Sequence, residues 1–82
     1  MAKKISRAKR FESIKDSVSA SRYALEDLRN ELQNWLDNMP ENLQESALAD
    51  QLTESIDELD DAINSLEEVV DAEIIFPNAF NR

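Results

Sequence analysis

The sequence predicts an all-α fold: an antiparallel two-helix hairpin, coiled-coil-like, that oligomerises into a helical bundle and carries an extended apolar C-terminal tail. Apolar residues recur at alternating steps of three and four over residues 11–39 and again over 52–70. A short polar connection that contains Pro40 separates the two runs, and the segment after residue 72 breaks the repeat. A chain of 82 residues is expected to form one domain, residues 1–82.

The first helix is expected over residues 11–39, after a basic arm at residues 1–10 in which Ser6 is a candidate N-cap residue. Pro40 ends the helix because the residue before a proline is pushed out of the α region. Trp35 is expected to anchor the core. The nine positions of the repeat are Phe11, Ile14, Val18, Ser21, Leu25, Leu28, Leu32, Trp35 and Met39.

The turn is expected at residues 40–45 and the second helix at residues 46–72, with Ser46 as its N-cap residue. The repeat of the second helix is Leu52, Ile56, Leu59, Ile63, Leu66 and Val70. Further apolar residues beside each repeat make the apolar surface of each helix wider than one partner helix can cover. A homo-oligomer is therefore expected, most simply a dimer of hairpins that forms a four-helix bundle. These flanking residues are Ala24, Leu36, Leu48, Ala62 and Val69.

The tail is expected at residues 73–82, where Pro77 stops any helix. Its large apolar side chains are Ile74, Ile75, Phe76 and Phe80. Large apolar side chains of this kind are expected to be buried against a protein surface rather than exposed to water. One interpretation is that the tail folds back over Phe11 and Ile14, or over the same surface of a second subunit. The other is that it docks onto another protein.

The composition argues against most enzyme classes. The chain has no Cys, no His and no Gly. It therefore lacks thiol chemistry, the commonest metal ligand and general base, and any glycine-rich phosphate loop. Its paired carboxylates are expected on solvated helix faces rather than in a pocket. We expect no catalytic residue, no metal and no cofactor. The sequence also has neither a signal-peptide apolar segment nor a membrane-length apolar run, so a cytoplasmic location is expected.

Charge is divided unevenly along the chain, whose net charge is -9. Residues 1–29 hold eight of the nine basic residues, and residues 30–82 hold fourteen of the eighteen acids. In an antiparallel hairpin the basic start would lie beside the acidic end and be neutralised by it. Alternatively, the basic residues bind an anion such as a nucleotide, with an aromatic ring to stack on a base. The candidate residues for this site are Lys3, Lys4, Arg7, Lys9, Arg10, Phe11, Lys15, Arg22 and Tyr23.

The second helix carries almost purely negative charge outside its repeat. Such a surface is typical of a soluble acidic helix, and it can also imitate the phosphates of DNA and occupy a basic nucleic-acid channel. The candidate partner-binding residues are Asp57, Glu58, Asp60 and Asp61.

The turn region carries a resemblance. Its sequence is Leu32-Gln33-Asn34-Trp35-Leu36-Asp37-Asn38-Met39-Pro40-Glu41-Asn42-Leu43-Gln44. With the heptad second helix and the Phe76-Pro77 segment, it resembles small acidic coiled-coil proteins of bacteriophage genomes. The resemblance implies a short phage protein made in the bacterial host cytoplasm, of a kind that often acts against host systems. With the basic cluster and the acidic second helix, we expect a non-enzymatic inhibitor of host defence that sequesters a nucleotide signal or blocks a host protein. The alternative is a structural coiled-coil protein, as a virion or scaffold component.

Overall fold

The computed structural model describes residues 6–77 of the chain. Helix α1 spans Arg7–Asp37, a 3₁₀ turn spans Glu41–Leu43, and helix α2 spans Ala47–Asp71. Residues 6–77 contain no strand, and the two helices pack against each other. The predicted all-α two-helix hairpin is confirmed. Residues 1–5 of the predicted arm and residues 78–82 of the predicted tail lie outside the described residues.

Helix α1 begins where its sequence supplies a cap. The hydroxyl of Ser6 accepts a hydrogen bond from the backbone N–H of Lys9 at 3.1 Å, which satisfies one of the free donors of the first turn. Residues 7–10 of the predicted basic arm therefore form the first turn of α1. The helix ends at Asp37, and the backbone N–H of Asn38 closes it on the carbonyl groups of Asn34 and Leu36.

The connection and the start of α2 are held by side-chain hydrogen bonds. The Gln44 side-chain amide donates to the backbone carbonyl of Met39 at 3.2 Å. The Ser46 hydroxyl donates to the carbonyl of Leu43 at 2.6 Å and accepts from the N–H of Ala49 at 3.3 Å, so Ser46 is the N-cap residue as the sequence predicts. Asp50 in the first turn has the sign that the helix dipole favours.

The contacts between the helices establish that they are antiparallel. Arg29 of α1 meets Asp60 of α2, and Arg22, one heptad farther from the turn, meets Glu67. Lys15, a further heptad away, reaches the carbonyl of Ala72 just after α2. We refer to the end of the hairpin near Ser6 and Ala72 as the open end. Over residues 6–77, neither helix has the long uncharged apolar run that a bilayer span requires.

The core lies along one stripe of α2 and is densest near the turn. Ala49, Leu52, Ile56 and Ile63 are buried. Met39 is buried against Ala49 and Leu52, with Leu32 and Leu36 packed around them. The residues of α2 that face α1 thus come from the predicted repeat, with Ala49 added one heptad before Ile56.

On α1 the predicted repeat is only half correct. Its alternate members, Phe11, Val18, Leu25, Leu32 and Met39, are buried or half-buried. The intervening members are not covered: Ile14 is 53% exposed, Leu28 45% and Trp35 51%. Trp35 therefore does not anchor the core of the hairpin, contrary to the sequence-based expectation.

A different row completes the contact of α1 with α2. It consists of half-buried residues one position after the predicted ones: Lys15, Arg22, Arg29 and Leu36. With this rotation of α1, Arg22 and Arg29 reach carboxylates of α2, and Leu36 packs against the buried core. Turning α1 to bury Trp35 would remove both arginines from those partners.

The core assignment predicts unequal effects of two matched substitutions. Ile56→Ala, at a site 5% exposed, should lower the free energy of unfolding by about 2–4 kcal/mol through lost burial and a residual cavity. Ile75→Ala, at a site 96% exposed, should change it by less than about 0.5 kcal/mol. Urea unfolding followed by circular dichroism at one protein concentration measures both, and equal effects would contradict the core described.

Candidate functional surfaces

The hairpin has two broad faces, because two helices that lie side by side leave a row of residues above and below their contact. One, the charged face, carries Lys15, Arg22, Arg29, Asp60 and Glu67. The other is the apolar face. Its α1 row is Ile14, Ser17, Ser21, Ala24, Leu28, Glu31 and Trp35. Its α2 row is Leu48, Ser55, Leu59, Ala62, Leu66 and Val69, and the row borders the buried core residue Leu52.

On the charged face the arginines are engaged by acids of the same chain. Arg29 Nε donates to Asp60 Oδ1 at 2.9 Å, with a second contact from Nη2 to Oδ2 at 3.5 Å. Arg22 Nη1 lies 2.6 Å from Glu26 Oε2 and 3.6 Å from Glu67 Oε1. The Arg22 guanidinium also lies 4.6 Å from the centre of the Tyr23 ring. The hairpin therefore supplies the counter-charge of both arginines.

Lys15 and Phe11 hold the segment that follows α2. Lys15 Nζ donates to the carbonyl of Ala72 at 3.0 Å, a favourable site for a cation beside a helix C-terminus. The ammonium also lies 5.5 Å from the centre of the Phe11 ring. The rings of Phe11 and Phe76 meet edge to face with centroids 5.8 Å apart. Residues 72–77 thus run beside the start of α1.

A groove of about 390 Å³, the open-end groove, lies at this end of the apolar face. It is lined by Arg7, Arg10, Phe11, Ile14 and Phe76. It combines two exposed guanidinium groups with two aromatic rings, which is suited to an anion attached to a flat ring. The five side chains come from the first two turns of α1 and from the segment after α2.

The predicted anion-site residues are only partly brought together. Arg7, Arg10 and Phe11 share the open-end groove, whereas Lys9 is exposed and does not line it. Lys15 and Arg22 have partners elsewhere, and Tyr23 is exposed two turns away. Lys3 and Lys4 lie outside the described residues. Phe76 was not among the predicted site residues, although the apolar tail was the signal that could have added it.

The predicted acidic partner-binding residues fall into two groups. Asp60 is half-buried and engaged by Arg29. Asp57, Glu58 and Asp61 are exposed, and no ion pair between residues 6 and 77 includes them. Over the same range no group of acidic side chains is arranged to hold a metal ion. These three carboxylates are therefore open to an external cation or basic partner.

The apolar face contains a second groove, of about 310 Å³, here named the serine groove. It is lined by Ser13, Ile14, Ser17, Val18, Ser21 and Leu66. Leu66 and Ile14 border it from the two helices, which places the two rows of the apolar face on the same side of the hairpin. The groove exists because the serines are small while their neighbours on both helices are large.

Comparison with known proteins gives no relative: no family model, no curated protein and no solved structure matches this chain. Its function is therefore inferred from the surfaces described above.

The charged face predicts a measurable coupling between Arg29 and Asp60. In a double-mutant cycle of Arg29→Ala and Asp60→Ala, the coupling free energy should be about 0.2–1 kcal/mol, as expected of a partly exposed pair. It should shrink in about 1 M salt, where the Debye length is about 3 Å. Pairing Arg29→Ala with Asp57→Ala is the control. A coupling in the control as large as that of Arg29 with Asp60 would contradict the ion pair.

Proposed function

We propose that this chain is a non-enzymatic, homo-oligomeric binding protein of phage type that presents the acidic outer surface of α2 to a basic host protein and so inhibits a host defence system in the bacterial cytoplasm. The observation that carries the proposal is the division of charge on the hairpin. Arg22 and Arg29 are turned to acids of the same chain. The exposed acids Asp57, Glu58 and Asp61 of α2 have no ion-pair partner among residues 6–77.

The acidic surface is suited to compete with nucleic acid. Asp57 and Asp61 are one helical turn apart on α2, so their carboxylates lie on the same side of the helix. The helix is capped and packed, so little ordering accompanies binding. A basic cleft that attracts phosphates through its electrostatic field also attracts such a row of carboxylates. The attraction weakens as the salt concentration increases.

Neutralising the exposed carboxylates should weaken partner binding. The combined variant Asp57→Asn, Glu58→Gln and Asp61→Asn should capture its partner from a bacterial extract about tenfold less well, because each exposed charge contact contributes about 0.2–1 kcal/mol. The measurement is quantitative mass spectrometry of captured proteins, followed by DNA binding of the captured protein with and without this chain.

The matched control neutralises three exposed acids of α1, as Glu12→Gln, Asp16→Asn and Asp27→Asn. It changes the net charge by the same amount and should keep partner binding. If both triple variants lose binding equally, the acidic surface of α2 is not the interface and only net charge matters.

A second candidate function, sequestration of a nucleotide signal, is favoured by the open-end groove. Arg7 and Arg10 would contact phosphates while Phe11 and Phe76 would contact the base. This use does not require Arg22 or Tyr23, which lie away from the groove.

Nucleotide binding predicts a difference between two neighbouring residues. Arg10→Gln should weaken binding of a panel of mono- and cyclic dinucleotides at least about tenfold, because a charged hydrogen bond contributes about 1.5–3 kcal/mol. Lys9→Gln removes the same charge outside the groove and should change binding less than about threefold. Isothermal titration calorimetry at two salt concentrations measures both. A panel that shows no saturable binding to the unaltered chain would exclude this function.

The uncovered apolar face supports the homo-oligomeric part of the proposal. It supports equally the alternative of an assembly protein, as a virion or scaffold component. An assembly protein is expected to co-purify with particles, whereas an inhibitor is expected free in the cell extract or attached to its host target.

A further inference from the structure

We infer that a second copy of this chain covers the apolar face, turned end over end so that the turn of each hairpin lies at the open end of the other. The inference rests on the proposed homo-oligomer and deepens it by naming the surface and the arrangement. The product is a four-helix bundle in which α1 packs antiparallel on α1 of the second copy.

The apolar face has the composition of a buried surface. Its α2 row contains no charged residue from Leu48 to Val69, although α2 as a whole is strongly acidic. Its α1 row contains one charge, Glu31, and three large side chains that are about half exposed: Ile14, Leu28 and Trp35. The opposite face carries the ion pairs of the hairpin. Apolar residues that recur every seven residues on both helices are complementary to another helical hairpin rather than to a partner without regular helices.

The area of this face matches what a stable dimer needs. From Ile14 to Trp35 the α1 row is about 32 Å long at helical rise, and two packed helices with their side chains are about 20 Å wide. The face therefore offers about 640 Å² per copy in projection, within the roughly 600–1,000 Å² per partner that specific interfaces bury.

The shape of the face is complementary to itself when it is turned end over end. The middle of the hairpin lies near Leu25, because α1 begins at Arg7 and the turn is centred near residue 44. Rotation about that level places Trp35 of the second copy opposite Ile14, and its Leu28 opposite Ser21. Ile14 and Ser21 are among the six residues that line the serine groove of about 310 Å³. Leu28 of each copy thus lies against the small side chain of Ser21 in the other, and Trp35 lies at the Ile14 border of the groove.

The opposite orientation, with both turns at the same end, does not achieve this fit. It places α1 over α2 of the second copy at the same level. Trp35 then remains near the turn, and the serine grooves of both copies remain near the open end without a large side chain to fill them. The end-over-end arrangement is therefore the one that places large side chains at the serine grooves of both copies.

Sedimentation equilibrium of the full chain tests the self-association. The unaltered chain should sediment as a dimer of its 9.4 kDa mass. Leu28→Lys should sediment as a monomer and keep its helical circular dichroism, since Leu28 lies outside the contact between α1 and α2. Tyr23→Lys, which adds the same charge at an exposed site off the apolar face, should remain dimeric. A monomeric unaltered chain, or a dimer that Leu28→Lys leaves intact, overturns the inference.

Cysteine cross-linking tests the orientation without relying on a variant that disrupts packing, and the chain has no cysteine of its own. Near the rotation axis, Ala24→Cys should link to itself under oxidation. Ser17→Cys should not link to itself but should link to Glu31→Cys in a mixture, because Ser17 lies eight and Glu31 six residues from Leu25, which places the two positions within about 3 Å of the same level. Self-linking at Ser17→Cys, or no link at Ala24→Cys, overturns the end-over-end arrangement.

The two proposals fail separately. If the unaltered chain is a dimer that Leu28→Lys dissociates, but capture of the basic partner is unchanged when Asp57, Glu58 and Asp61 are neutralised, the dimer stands and the acidic surface is not the binding site. If the unaltered chain is a monomer that loses its partner when Asp57, Glu58 and Asp61 are neutralised, the dimer is wrong while the acidic surface remains the binding site.

Discussion

The rotation of α1 about its own axis determines most of what the structure presents to solvent. A single partner helix covers only one stripe of α1, and the row that includes Phe11, Val18 and Leu25 occupies its centre. Of the two rows that flank this central row, only one can also pack against α2. The contacts of Arg29 with Asp60 and of Arg22 with Glu67 direct the arginine row to α2. Each pair is worth little alone at a partly exposed site, yet the rotation that forms them leaves Ile14, Leu28 and Trp35 about half exposed.

Local signals explain why the helices themselves could be predicted from the sequence. Ser6 and Ser46 cap the helices through hydrogen bonds within four residues, and Pro40 ends the first helix through its own ring. The rotation of α1 is different, because both flanking rows satisfy a seven-residue repeat around the same central row. The choice depends on residues of α2 about thirty to forty-five positions away in the sequence. A seven-residue pattern in α1 alone cannot show which of its two flanking rows contacts carboxylates of α2.

The candidate binding residues also differ in whether contacts within one helix or contacts between the two helices bring them together. Arg7, Arg10 and Phe11 are brought together by adjacent turns of one helix, so their proximity could be predicted from the sequence. Phe76 joins them from the far end of the chain, and only the antiparallel packing brings it there. Arg22 and Tyr23 are also close in sequence to the basic start, but Arg22 pairs with Glu26 and Glu67 instead of lining the groove. Proximity in sequence therefore predicts a larger cluster than the set of residues that line the groove.

The two proposed interactions are expected to respond to salt in opposite directions. Each copy carries a net charge of -9, so two copies repel one another. In the proposed dimer the attraction would come from apolar area, which salt does not screen, whereas the repulsion acts over a Debye length of about 8 Å at physiological ionic strength. Salt should therefore strengthen the proposed dimer and weaken the proposed attraction of the acidic surface to a basic partner. At physiological ionic strength the repulsion between copies is already largely screened. Because the carboxylates of α2 lie off the apolar face, a dimer still presents two acidic surfaces, one on each copy.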